Sequence, residues 1–187
     1  MTNFDKHTDE ALMGLLQNGS NSAFDEIYAR YSKKLLAFIY RMVNGAEALA
    51  QDVLHDVFLK IIEKPNAFDV TRSFKPWIYQ VAANASRKSY RMTETEEVKE
   101  SHTQFLGNSH QPNLADRKAF DNSLNTALNK LSIEHREVFV LKHQQYMSIK
   151  EISIITNIPE GTVKSRLHTA TKHLAKSLRQ FNPKETA

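Results

Sequence analysis

Gly161, Lys164, Ser165, His168 and Lys172 fall at i, i+3, i+4, i+7 and i+11, on a single helical face. An ammonium, a hydroxyl and an imidazole in such a row can donate to base-edge acceptors and to phosphates. Glycine at the head of the row removes bulk where a DNA backbone would approach. Lys176 and Arg179 extend the positive face, while Val163, Leu167, Ala170, Leu174 and Leu178 form an apolar stripe opposite. On charge alone the face is equally that of a solvated helix in a bundle, so the neighbouring elements decide. Ser148-Ile149-Lys150-Glu151 fits the S-x-x-E capping box, which starts a helix whose inward positions are Ile149, Ile152 and Ile155. Asn157 can take the left-handed turn position, and Pro159 lies at the start of the next helix. Two helices joined by so short a turn cross steeply, as in a helix-turn-helix, and the second is the one offered to the major groove.

A second set of groups lies nearer the N-terminus. Phe74, Ile78, Val81 and Ala85 make an apolar stripe, and opposite it stand Gln80, Asn84, Arg87 and Arg91. Trp77 and Lys88 flank one side, Tyr79 and Tyr90 the other. Cations that track phosphates, with rings that stack on unpaired bases, suit single-stranded or melted nucleic acid. Trp77 taken alone reads better as a core residue. One helix earlier, Asp52, His55 and Asp56 share a face, with Lys60 four residues after Asp56. They are either a solvated surface or a docking face for a basic partner.

The elements that must carry these residues are helical throughout. Phe24, Ile27, Tyr28, Tyr31, Leu35, Phe38 and Met42 form one stripe, and Asn44-Gly45 ends it. Leu49, Val53, Val57 and Ile61 form the next, ended by Lys64-Pro65-Asn66. Phe120, Leu124, Leu128 and Leu131 recur later, and Ser132 can cap a helix containing Val138 and Leu141. No segment alternates with period two, so no sheet is expected.

The chain has 187 residues, a net charge of +4 and no cysteine. Disulfides, thiolate chemistry and Cys-based zinc fingers are therefore excluded. No Gly-rich phosphate loop and no apolar run of about 18 residues is present. The polar N-terminus does not read as a secretory signal, and the cytoplasm is the expected compartment. Residues 1–92 carry 12 basic and 10 acidic side chains, residues 93–116 carry 1 and 5, and residues 117–187 carry 12 and 6. The expected division follows: a module over 1–92, a flexible, polar and acidic linker over 93–116, and a basic module over 117–187.

Three segments in this order identify a resemblance: Gln51-Asp52-Val53-Leu54-His55-Asp56-Val57-Phe58, Phe74-Lys75-Pro76-Trp77-Ile78-Tyr79, and Ile158-Pro159-Glu160-Gly161-Thr162-Val163-Lys164-Ser165-Arg166-Leu167-His168. The chain resembles bacterial RNA polymerase sigma factors of the extracytoplasmic function (ECF) group, over roughly 23–92 and 124–178. The resemblance implies an all-α protein of two small helical domains, regions 2 and 4, without the larger sigmas' N-terminal inhibitory region or middle domain. It implies a role in promoter recognition and melting, not an enzyme, with no cofactor or metal. Its partners would be core RNA polymerase, promoter DNA and an anti-sigma protein, with no membrane insertion. By resemblance, Gln51, Asp52, His55, Asp56 and Phe58 fall in the segment that docks on the polymerase clamp helices. Phe68, in the loop from Pro65 to Ser73, matches the pocket for a flipped-out minus-ten base, and Trp77 and Asn84 adjoin it. Gln80, Arg87, Lys88 and Arg91 complete that minus-ten set. Gly161, Thr162, Lys164, Ser165, Arg166, His168, Thr169 and Lys172 match the helix that reads the minus-thirty-five element. His55 and Asp56 stand where the family commonly has Gln and Glu, and Thr169 and Thr171 where arginines are frequent. Two other readings compete: a helix-turn-helix regulator that never touches polymerase, and a metal-dependent enzyme. The docking segment opposes the first. The histidines lack an H-E-x-x-H arrangement, and His168 and His173 are poorly spaced for one helical face, which opposes the second.

Overall fold

The computed structural model describes residue 4 and residues 6–95 and 114–181. Every regular element among them is helical: α1 (Asp9–Gln17), α2 (Asn21–Met42), α3 (Glu47–Glu63), α4 (Phe74–Thr95), α5 (Leu114–Asn129), α6 (Ile133–His143), α7 (Ile149–Thr156) and α8 (Glu160–Ser177), with short 3-10 turns over Pro65–Ala67 and Arg179–Phe181. Most of the expected linker lies outside the described residues. At its edges, helix α4 reaches Thr95 and α5 begins at Leu114, inside the expected 93–116.

The breaks between helices have local causes. Asn44 (φ 59°) and Gly45 (φ 82°) take the left-handed conformation that ends α2, and Asn157 (φ 54°) does the same after α7. Ser132 sits at the head of α6 but makes no side-chain capping bond. Its hydroxyl meets His135 Nδ1 at 2.7 Å instead.

The expected stripes form the core, with two corrections. Ile27, Tyr31, Leu35, Phe38 and Met42 of α2 are buried with Val53, Val57 and Ile61 of α3 and Phe74 and Ile78 of α4. Tyr28, however, is 47% exposed, and Phe120 is also exposed. The α2 stripe is narrower than its apolar residues suggest, because Tyr28 rides at its edge against Phe58, 4.7 Å between ring centroids. Phe120 rests on Phe181.

The two helical groups pack on each other: α4 against α7, and α2 against α6. Arg136 of α6 fastens this seam from a fully buried position. Its guanidinium donates to Leu128 O at 3.0 Å, to Met42 O at 3.2 Å and to Asn44 Oδ1. The Tyr90 ring lies 5.5 Å away. Asn129 Nδ2 adds a bond to Asn44 O at 3.3 Å. A buried charge is tolerated only when so fully hydrogen-bonded.

Candidate nucleic-acid interface

The helix-turn-helix is built as the sequence predicts. Ser148 Oγ accepts from Glu151 N at 3.2 Å, and Ser148 N donates to Glu151 Oε2 at 2.7 Å, so the capping box is closed in both directions. Burial pushes the Glu151 carboxyl up, but the two Ser148 bonds outweigh it and hold it below its ordinary value. Ser153 Oγ donates to Ile158 O at 2.6 Å and ties α7 to the turn. Val163, Ala170 and Leu174 anchor α8, which leaves Gly161, Lys164, Ser165, His168 and Lys172 exposed along one face. The space around Gly161 is open. Ser165 Oγ donates to Thr162 O at 3.1 Å, within its own helix. Thr162 and Thr169 are half-buried at the margins of the face. Arg166 is half-buried too, and its charge acts on Glu134 and Glu137 of α6, so it leans toward its own module.

On α3, Gln51, Asp52, His55 and Asp56 are all exposed. Phe58 departs from this set: it is 4% exposed and packs under Phe24 and Tyr28, centroids 6.1 and 4.7 Å away. It supports the face and does not present itself. Two residues passed over in the sequence join the face instead, Leu59 (41% exposed) and Ile62 (42% exposed). Their signal was available: both are apolar and both fall off the Val53–Val57–Ile61 stripe.

The loop between α3 and α4 turns its aromatic residue inward. Phe68 is 2% exposed, with its ring 5.3 Å from Phe74 and 5.0 Å from Trp77. It is the inner anchor of the loop. Trp77 is half-buried against the same rings, and the exposed tip runs from Asp69 to Ser73. Asp69 Oδ1 accepts from Thr71 Oγ1 at 2.7 Å and Thr71 N at 2.9 Å, and these bonds, with Arg72 adding to them, hold its carboxyl below the ordinary range.

The polar face of α4 divides. Asn84, Lys88 and Arg91 are exposed. Gln80 and Arg87 are turned onto the second helical group. Gln80 Nε2 donates to Ile154 O at 3.1 Å. Arg87 Nη1 donates to both oxygens of Glu137, at 2.8 and 2.7 Å, and Arg87 Nη2 donates to Asn84 Oδ1. Glu137 is 2% exposed. Burial pushes its carboxyl up, with Arg87 pulling the other way. Beside them, Tyr79 OH donates to Gln145 Oε1 at 2.6 Å. The sequence shows the polar face but not that α6 and α7 cover part of it, because the pairing joins residues 50 or more positions apart.

Fold and surfaces together define a protein whose described residues are all-helical, with an exposed, basic second helix in a helix-turn-helix and, in the other helical group, a basic, aromatic helix beside an acidic one. The model of sigma-70 region 2 matches residues 27–95, and that of sigma-70 region 4 matches residues 121–174. The ECF RNA polymerase sigma factor SigW of Bacillus subtilis (strain 168) is 28% identical over 177 residues, covering 89% of this chain and 94% of that protein. The RNA polymerase sigma factor CarQ of Myxococcus xanthus is 29% identical over 167 residues, covering 89% and 95%. In fold, the chain is similar to CnrH, solved in complex with the cytosolic domain of CnrY (TM-score 0.71, 24% identity, covering 93% of this chain and 99% of that one). The chain belongs to the ECF group of RNA polymerase sigma factors. Proteins of this kind are transcription initiation factors and not enzymes.

Proposed function

We propose that the protein binds core RNA polymerase and directs promoter-specific transcription initiation. The observation that carries this is the presence, in one chain, of both sigma regions with an exposed α8 recognition face and an exposed acidic α3 face. Residues 1–92 act as the polymerase and melted-strand module, 117–187 as the upstream-duplex module, and 93–116 as the connector. Gln51, Asp52, His55 and Asp56 dock on polymerase, with Leu59 and Ile62 adding apolar area. Lys164, Ser165, His168 and Lys172 read the minus-thirty-five duplex. The Asp69–Ser73 tip, Trp77, Asn84, Lys88 and Arg91 meet the melted minus-ten strand. Unstacking a base costs a few kcal/mol, and pocket contacts offset it.

The closed seam bears on mechanism. Gln80 and Arg87 reach DNA only after α6 and α7 leave α4, so opening of the two modules precedes strand capture. The solved relatives include RpoE of Bartonella quintana in complex with the anti-sigma factor NepR. An anti-sigma protein covering these surfaces, released by a stress or envelope signal, fits the same arrangement here. No helix among the described residues is long and apolar enough to cross a membrane. The cytoplasm, where polymerase works, is the compartment this function requires. The test is co-elution of the purified chain with core polymerase, followed by run-off transcription from a genomic promoter library. Co-elution and a shared motif among the active templates are expected. A chain that binds upstream DNA but never core is a stand-alone regulator.

A further inference from the structure

The loop from Lys64 to Ser73 is held at both ends by a helix that precedes the stretch matched by the region 2 model, which begins at residue 27. Gln17, the last residue of α1, donates both amide hydrogens: Nε2 lies 2.8 Å from Phe68 O and 3.1 Å from Pro65 O. One side chain thus ties together the two ends of the 3-10 turn. One end of the same helix holds the far side of the loop. Glu10 Oε1 accepts from Phe74 N at 2.9 Å, satisfying a backbone donor at the start of α4. Helix α1 is itself fixed to α2, because Asp9 accepts from Arg30 Nη1 at 2.8 Å and from Tyr31 OH, while Leu12, Met13 and Leu16 are buried. Between the two holding points the chain is exposed from Asp69 to Ser73, and Asp69 folds the tip back on Thr71.

We infer that α1 is a bracket that preorganises the strand-contacting tip, with Gln17 and Glu10 as positioning residues for minus-ten base selection. The inference rests on the proposed reading of the tip as the strand contact. A tip held in one conformation loses less freedom on binding and discriminates better between bases. Neither residue touches DNA. Their removal loosens Val70, Thr71 and Arg72, and leaves the α3 face and the α8 face as they are.

The test uses holoenzyme assembled from the full chain and the source bacterium's core polymerase. A random pool of single-stranded DNA 12-mers is selected on it, and the most enriched oligonucleotide is compared with its base-shuffled counterpart. The readout is the ratio of their two affinities, for wild type, Gln17→Glu (isosteric, but an acceptor facing two carbonyls) and Gln17→Met (apolar, similar in size). Both variants should lower the ratio about fivefold, the scale of losing one or two such hydrogen bonds. Core affinity and duplex binding should stay within about twofold of wild type. An unchanged ratio, or one that falls only together with core affinity, overturns the bracket. Thr71→Ala and Arg72→Ala separate the two levels. If they lower the ratio while the Gln17 variants do not, the tip is the strand contact and the bracket is wrong. If they leave it unchanged, the reading of the tip fails and the bracket falls with it.

Discussion

Lys164 and His168 are the two residues on which the proposed reading of the upstream duplex leans most. Both stand on the exposed face of α8, with no acidic partner among the described ion pairs. Lys164→Ala or His168→Ala should weaken binding to the upstream duplex by about 1–3 kcal/mol where a base edge is lost. A lost phosphate contact should instead lower the log–log salt slope by about 0.9. Fluorescence anisotropy across a salt series distinguishes the two, and core affinity should not move. On α3, Asp52→Lys with Asp56→Lys should weaken association with core polymerase at moderate salt; unchanged affinity would mean a merely solvated face. The shared exposure of these residues was legible because a helical face can be read from spacing. The inward turn of Phe58 and Phe68 was not, since an aromatic residue at the edge of a motif looks the same in sequence whether it points out or in. The aromatic neighbours Phe24, Tyr28, Phe74 and Trp77 draw both inward.

At the level of elements, three helix ends were readable where a side chain acts on its own backbone, while the Thr8 cap on Ala11 N, and helix α1 with it, were missed in the sequence. The Ser148–Glu151 box and the Asn44–Gly45 and Asn157 turns are local chemistry, and all three form as their residues dictate. Ser148→Ala should destabilise the second module by about 1 kcal/mol in urea denaturation. The Glu151 carboxyl sits below its ordinary value in the folded protein, so its contribution is present above the unfolded value and is lost as pH falls through the folded one. The difference between wild type and Ser148→Ala should therefore shrink on acidification below about pH 4.5. A difference that grows with acid would contradict the assignment. Ser132 shows the limit of such reading, because His135 competes for its hydroxyl and no capping bond forms.

For the whole molecule, two helical groups could be foreseen from the sequence, but not their docking on each other. The seam depends on Arg136 finding acceptors on α2 and the α2–α3 turn, and on Glu137 meeting Arg87, partners distant in sequence. Glu137→Gln removes the carboxylate charge opposite Arg87, and Arg136→Met strips the donors from several buried carbonyls. The first should weaken closure by about 1–2 kcal/mol and the second by about 3 kcal/mol. Small-angle scattering of the free chain should show a larger radius for both. Glu137→Gln should also raise the free chain's affinity for single-stranded DNA several-fold, about 1 kcal/mol in its released Arg87 contact. Equal radii and equal affinity would mean that the seam does not govern access. Promoter melting by this chain together with polymerase is read by permanganate footprinting of unpaired thymines. On a template recovered from the promoter library, the chain and core together should expose reactive thymines around the minus-ten position, and neither should do so alone. Thymines that stay unreactive with both present, on every recovered template, would contradict it.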